Sequence, residues 1–227
     1  MIEPPDYENY DFSLQWRRRD LVNIAELEMI KKLAGKPGVC LDMAGGYGRI
    51  AGVLENICGE THLIDFSLLN TDRARSTLKK TVVVQGNIFD LPYEDDSFDL
   101  VVLFRVMHHI ENPQDVYREI MRVAKDGATV IVSVPNIRMT RFRRIDAVKQ
   151  VAKGDSGHSI FAGPIKCYMH DGFRLESVHG LGLFDNAVGR MLDSLKFLYR
   201  IDLYTSWIWF LKNNIILKFT VEKRGTD

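Results

Sequence analysis

The sequence predicts an α/β fold, with a doubly wound, mostly parallel sheet covered by helices on both faces. Two observations predict it. Short, continuously apolar runs such as VCLDM, TVVVQ and ATVIVSV have the length and character of strands buried on both faces. Between them lie segments whose apolar residues recur at three and four positions, so strands and helices alternate along the chain.

The elements follow in order. Leu21 to Leu33 places Leu21, Ile24, Ala25, Leu27 and Ile30 on one helical face, ended by Gly35 and Pro37. Val39–Met43 reads as a buried strand, Arg49–Ile57 as a helix and Thr61–Ile64 as a second strand. A helix over Ser67–Lys79 precedes strands at Thr81–Gln85 and Phe98–Phe104. Asn112–Lys125 is the next helix, with Pro113 in its first turn and Gly127 closing it. Ala128–Val134 is a fifth strand, stopped by Pro135. Beyond it come a basic cluster (Arg138, Arg141, Arg143, Arg144), a Gly-rich stretch and a short helix near Pro164–Met169. Strands at Phe173–Val178 and Ile215–Glu222 are separated by a Gly-Leu-Gly turn and apolar helical sequence. The expected organisation is one domain in three parts: an N-terminal aromatic segment and helix (1–35), an α/β core (36–135), and an insertion with helices and C-terminal strands (136–227).

Composition narrows the function classes. With 227 residues, 46% of them hydrophobic, the chain can bury a full core. Thirty basic residues balance thirty acidic ones, so no global field recruits nucleic acid or an anionic membrane, although a local patch could. Cys40, Cys58 and Cys167 form no C-x-x-C pair, which predicts a reducing compartment with neither disulfide frame nor metal site, and Cys40 as a buried thiol. The N-terminus MIEPPDYENYD is acidic and proline-bearing, unlike a signal peptide, and no run approaches the roughly 18 apolar residues of a membrane span. A soluble, cytoplasmic protein is the expectation.

Ligands of such sheets sit beyond the carboxyl ends of the strands, so the loops after Met43, Ile64, Gln85, Phe104 and Val134 carry the function. The first of them supports two spacings. Gly46-x-Gly48-x-x-Ala51 fits a dinucleotide loop; Asp42-Met43-Ala44-Gly45-Gly46-Tyr47-Gly48 fits D-x-G-x-G-x-G, with Ala44 at the first glycine position. Glycines at 45, 46 and 48 let the backbone approach a ligand closely where a helix begins. Asp65 ends the second strand, placed for a bidentate bond to two ribose hydroxyls.

With these residues in order, the stretch from Val39 to Pro135 resembles the class I S-adenosylmethionine-dependent methyltransferases of small-molecule type. Asp42–Gly48 resembles their first motif and Asp65 their strand-end acid. GNIFDLPYEDDSFDLVV (Gly86–Val102) and MHHIENPQDVYREIMRVAKDG (Met107–Gly127) resemble the segments that follow. The resemblance implies a Rossmann-like, seven-stranded sheet with an antiparallel C-terminal strand, and S-adenosylmethionine as cofactor. It implies that Asp42 faces the methionine amino group, and that Ala44, Gly45, Gly46 and Gly48 form the loop. Asp65 with Phe66 would meet the ribose, Asn87 and Ile88 the adenine, and Phe104 and Arg105 the methionine tail. The lead-in YENYDFSLQWRRRD is similar to an N-terminal segment of prokaryotic relatives, with Trp16 and Arg19 lying over the cofactor. Ala44 departs from the glycine pattern, and a negative φ is expected there.

Methyl transfer is an in-line displacement that alignment can largely catalyse, and no conspicuous catalytic constellation is visible. His108, His109 and Arg105 are the catalytic candidates, a histidine being suited to general-base work. No N/D-P-P-Y loop or Pro-Cys nucleophile is present, which favours a small-molecule acceptor over nucleic acid. The competing readings are a NAD(P)-dependent oxidoreductase, which lacks its Tyr-x-x-x-Lys pair here, and a non-catalytic cofactor-binding partner module. Arg138–Arg144 reads as a solvated face or a grip for an anionic group. The apolar SLKFLYRIDLYTSWIWFL reads as packing, a substrate lid or a homodimer face.

Overall fold

A computed structural model describes residues 11, 13, 16, 19–110, 112–136, 165–182 and 195–223. Helix α1 spans Asp20–Ala34, strand β1 Val39–Met43, helix α2 Ala51–Leu54 and strand β2 Glu60–Asp65. Helix α3 (Leu68–Thr77), strands β3 (Thr81–Gln85) and β4 (Phe98–Leu103), helix α4 (Pro113–Val123) and strand β5 (Ala124–Pro135) follow. Strand β6 (Phe173–Leu181), helix α5 (Tyr199–Tyr204) and strand β7 (Asn214–Val221) complete the described elements. The basic cluster Arg138–Arg144 and the Gly-rich stretch after it lie outside the described residues.

All seven strands form one sheet in the order β3-β2-β1-β4-β5-β7-β6. Strands β1 to β5 pair in parallel, and β7 inserts antiparallel between β5 and β6. From β1 the chain winds outward through β2 and β3, then returns to β4 on the other side. The switch point therefore falls between β1 and β4, and a ligand crevice is expected beyond these strand ends. Strand alternation supplies two cores: Leu100 and Val102 pack toward α1 with Met29 and Ile30, whereas Val101 and Leu103 pack toward α4 with Tyr117 and Ile120.

Several boundaries differ from the expectation, most of all around α4, β5 and α2. Helix α4 stops at Val123, because Ala124 turns extended (φ −79°, ψ 140°) and pairs with Phe98 as the first residue of β5. Gly127, with φ 76°, serves an irregularity inside β5 rather than a helix end, where the register jumps from Phe98 to Leu100. Helix α2 is a single turn, and the Asn56 side-chain amide donates to the Gly52 carbonyl, competing with the helical ladder.

The absence of a disulfide is overturned. Cys40, in β1, is bonded to Cys58, 18 residues later, with Cα atoms 6.4 Å apart. Backbone bonds from Gly59 to Pro37 and from Glu60 to Gly38 lay the chain beside β1 and bring the two sulfurs together. Closing a loop of this length contributes about 3 kcal/mol. Thermal melts are expected to fall in reductant for the parent protein and to be insensitive to it for Cys58→Ser. Among the described residues, no helix is long and apolar enough to cross a membrane.

Candidate functional site

The loop leaving β1 is tied down from both sides. The Gly45 N–H donates to the Ile64 carbonyl (3.1 Å) and the Gly46 N–H to Asp65 Oδ2 (2.8 Å). Asp65 Oδ1 accepts the Ser67 N–H (2.9 Å), and Ser67 caps α3. One carboxylate thus joins the glycine loop, the end of β2 and the start of α3. Burial raises the Asp65 pKa against the pull of its two N–H donors, while its oxygens retain lone pairs for further donors. Gly48 has φ 90°, and a Cβ there would stand 2.7 Å from Leu78 Cδ1, so only glycine fits. Above Gly46 (φ 55°) the space is open.

Ala44 has φ 54°, which corrects the expectation of a negative angle. The chain must reverse as it leaves β1 so that Gly45 can reach Ile64, and that turn is left-handed. An alanine in this region carries roughly 1–2 kcal/mol of strain. Ala44→Gly relieves the strain but loosens the unfolded chain, so stability should hold or rise by up to about 1 kcal/mol. A clear drop in melting temperature would contradict this account.

Asp42 is 1% exposed, and its Oδ2 accepts the Ala51 N–H at 2.8 Å. The carboxylate is turned under the loop onto the first turn of α2, away from the open side. Burial pushes its pKa from 3.8 up to about 7, outweighing the Ala51 bond and the nearby Arg49 charge. The sign follows: between pH 4 and 7 the folded state holds a proton that the unfolded chain releases, so stability falls as pH rises through this window. Urea unfolding of Asp42→Asn should show a flatter profile over that range.

Phe66, directly after Asp65, is 60% exposed. Asn87 lies exposed at the end of β3, where its Oδ1 accepts the Phe89 N–H at 3.0 Å and shapes the turn. Ile88 is half-buried against the α4-side core. Phe104 is only 6% exposed and packs with the α1-side core, so it faces protein rather than the crevice. The loop of β1, Asp65, Phe66 and Asn87 therefore share the carboxyl end of the sheet, whereas Asp42 and Phe104 lie beneath it.

Arg105 follows β4 with φ 56°, and its N–H donates to Ser133 Oγ at 2.7 Å. Its guanidinium meets Glu26 Oε1 at 2.6 and 2.8 Å. The other Glu26 oxygen takes Arg49 at 2.8 Å, and Arg49 also donates to Asn23 Oδ1 at 2.9 Å. The Trp16 ring lies 3.8 Å from the Arg49 guanidinium and 5.0 Å from that of Arg105. Arg19 immediately precedes α1 and holds Trp16 through its N–H (3.2 Å). Two cations thus share one carboxylate that is 1% exposed, beside the glycine loop. Sequence reading missed Glu26 and Arg49. The signal was present for Glu26: it falls on the buried face of α1 with Val22, Ala25, Met29 and Ile30.

His108 and His109 form a short 3₁₀ turn after β4, with ring centroids 3.8 Å apart. Among the described residues, no three His, Cys, Asp or Glu side chains converge on a metal position.

This set fits an adenosyl sulfonium amino acid. A strand-end carboxylate suits a vicinal diol, open space over Gly46 admits a flat nucleoside, and Phe66 and Asn87 offer an aromatic face and an amide nearby. The Arg49 and Arg105 guanidinium groups, both held on Glu26 beside the loop, suit an amino-acid carboxylate.

Comparison with known proteins agrees. Residues 41–132 match a methyltransferase domain family. A probable S-adenosylmethionine-dependent methyltransferase of Mycolicibacterium smegmatis is 28% identical over 131 residues, 57% of this chain and 47% of that protein. A 2-phytyl-1,4-naphtoquinone methyltransferase of Synechococcus elongatus is 30% identical over 138 residues, 56% of this chain and 58% of that protein. The chain thus spans about half the length of these curated relatives. A crystal structure from Thermotoga maritima, of an S-adenosylmethionine-dependent methyltransferase described as a possible histamine N-methyltransferase, superposes with a TM-score of 0.67. It covers 93% of this chain and 95% of its own at 17% identity, a likeness of fold. Residues 41–132 are thus matched as a methyltransferase domain, and the chain as a whole shares the fold of S-adenosylmethionine-dependent methyltransferases.

Proposed function

We propose that this protein binds S-adenosylmethionine at the β1–β2 strand ends and transfers its methyl group to a small-molecule acceptor. The carrying observation is Asp65, whose carboxylate bridges the Gly46 loop and Ser67 beside the switch point of the sheet. It would receive the ribose hydroxyls, with Phe66, Asn87 and Ile88 around the adenine. The paired Arg49 and Arg105 would receive the methionine carboxylate, and Trp16 would close over it.

The cofactor supplies a methyl group on a positively charged sulfur, already activated toward displacement. The chain then has to hold an acceptor atom in line and exclude water, and alignment provides most of the acceleration. The half-buried His108–His109 turn, at the end of β4, stands where a proton leaving an acceptor could be taken up. The balanced net charge of the chain favours a small acceptor over nucleic acid.

Calorimetric titration with S-adenosylmethionine and with NAD tests the cofactor; binding of NAD alone overturns the proposal. Incubation with methyl-labelled cofactor and a metabolite panel tests the acceptor. Label appearing only in added RNA or DNA would remove the small-molecule assignment.

A further inference from the structure

Residues 195–213 lie at the same end of the sheet as the site, since β7 begins at Asn214 opposite Pro135 and Leu181, the last residues of β5 and β6. Buried polar groups hold this segment in place. Asp202 accepts the Gly182 N–H (2.8 Å) and pairs with Lys212 (2.7 Å), both side chains 2% exposed. The Asn136 amide donates to the Trp209 and Lys212 carbonyls at 3.1 and 2.8 Å. The inner face is therefore anchored, and the outer face has an unusual composition.

The exposed residues of this stretch are Leu195, Lys196, Phe197, Arg200, Ile201, Tyr204, Trp207, Phe210 and Leu211. All are large apolar or aromatic residues except the two cations, and the segment's one acid, Asp202, is buried. Tyr204 is 84% exposed and Trp207 68%, which is exceptional for side chains of this size.

We propose that this face docks on an anionic lipid surface. Trp and Tyr pair an apolar body with a polar tip, the chemistry of the bilayer headgroup region. Short helical turns showing apolar side chains and cations, with no carboxylate, match an interfacial segment. Arg200 would meet lipid phosphate, while Lys196 sits at the rim, paired with Asp20 of α1 at 2.8 Å. Self-association fits less well, because a two-fold interface would cover the exposed Arg200 with a segment whose one acid, Asp202, is buried. Docking would turn the carboxyl ends of the strands toward the bilayer, and the binding itself does not depend on which acceptor is methylated.

Sedimentation of the full chain with vesicles tests the proposal. Phosphatidylcholine mixed with an equal part of phosphatidylglycerol should carry the protein down, and phosphatidylcholine alone should bind it about fivefold less per engaged cation. The double change Trp207→Ser with Phe210→Ser should lower partitioning at least about tenfold. A far-UV spectrum matching the parent would show that the fold is kept, and Tyr204→Ser provides a second, milder variant with a smaller loss. Failure to sediment with mixed vesicles, or undiminished binding by both variants, overturns the proposal. So does a concentration-dependent dimer that the same substitutions abolish, which would make the face a contact between copies.

Discussion

Glu26→Ala is expected to destabilise the protein by about 3–5 kcal/mol, the range found when one partner of a buried ion pair is removed. The residue is 1% exposed and is the carboxylate on which both Arg49 and Arg105 converge. Its removal leaves two guanidinium groups, with side chains 10% and 22% exposed, repelling each other in a poorly solvated place. The control is Arg105→Met, which removes one of the two cations and leaves the Glu26–Arg49 pair intact, so it should cost less. Urea unfolding of the two variants decides it: if Arg105→Met were the more damaging, the cluster would not be held by its carboxylate. Glu26→Gln should fall between them, because the amide still accepts a hydrogen bond but supplies no charge.

With Asp65 at the proposed ribose position, Asp65→Ala should weaken S-adenosylmethionine binding by roughly 2–3 kcal/mol, about 30- to 150-fold in Kd, the worth of a charge-assisted contact. It should also lower stability, since the Gly46 and Ser67 N–H groups each lose an acceptor. The two effects separate by measurement. Calorimetry on the folded variant reads affinity, and denaturant unfolding without ligand reads the backbone term. Unchanged affinity in a folded variant would remove Asp65 from the ribose position.

Part of the site was legible because its spacing reflects local backbone needs. Gly48 must be glycine for a positive φ beside Leu78, and Asp65 must end a strand to reach both the loop and Ser67. The same pattern reading failed where the answer depended on distant partners. At Ala44 the residue type suggested ordinary backbone, but the turn needed for Gly45 to reach Ile64 made φ positive. Phe104 sits next to the site in sequence, yet side-chain alternation sends it into the α1-side core.

The strands Val39–Met43 and Thr81–Gln85 were legible in the sequence to the residue, as were the alternation of helices and strands and the glycine loop that leaves β1. These are local properties: apolar runs, helical periodicity, and glycine where φ must be positive. Only the tertiary structure decided that Cys58 bonds Cys40 and that Glu26 gathers Arg49 and Arg105, partners 23 and 79 residues away. It also decided that the apolar segment before β7 turns its aromatic face outward. The physical reason is that charge pairing and exposure are set by what packs opposite a residue, and no short window of sequence contains its own neighbours in space.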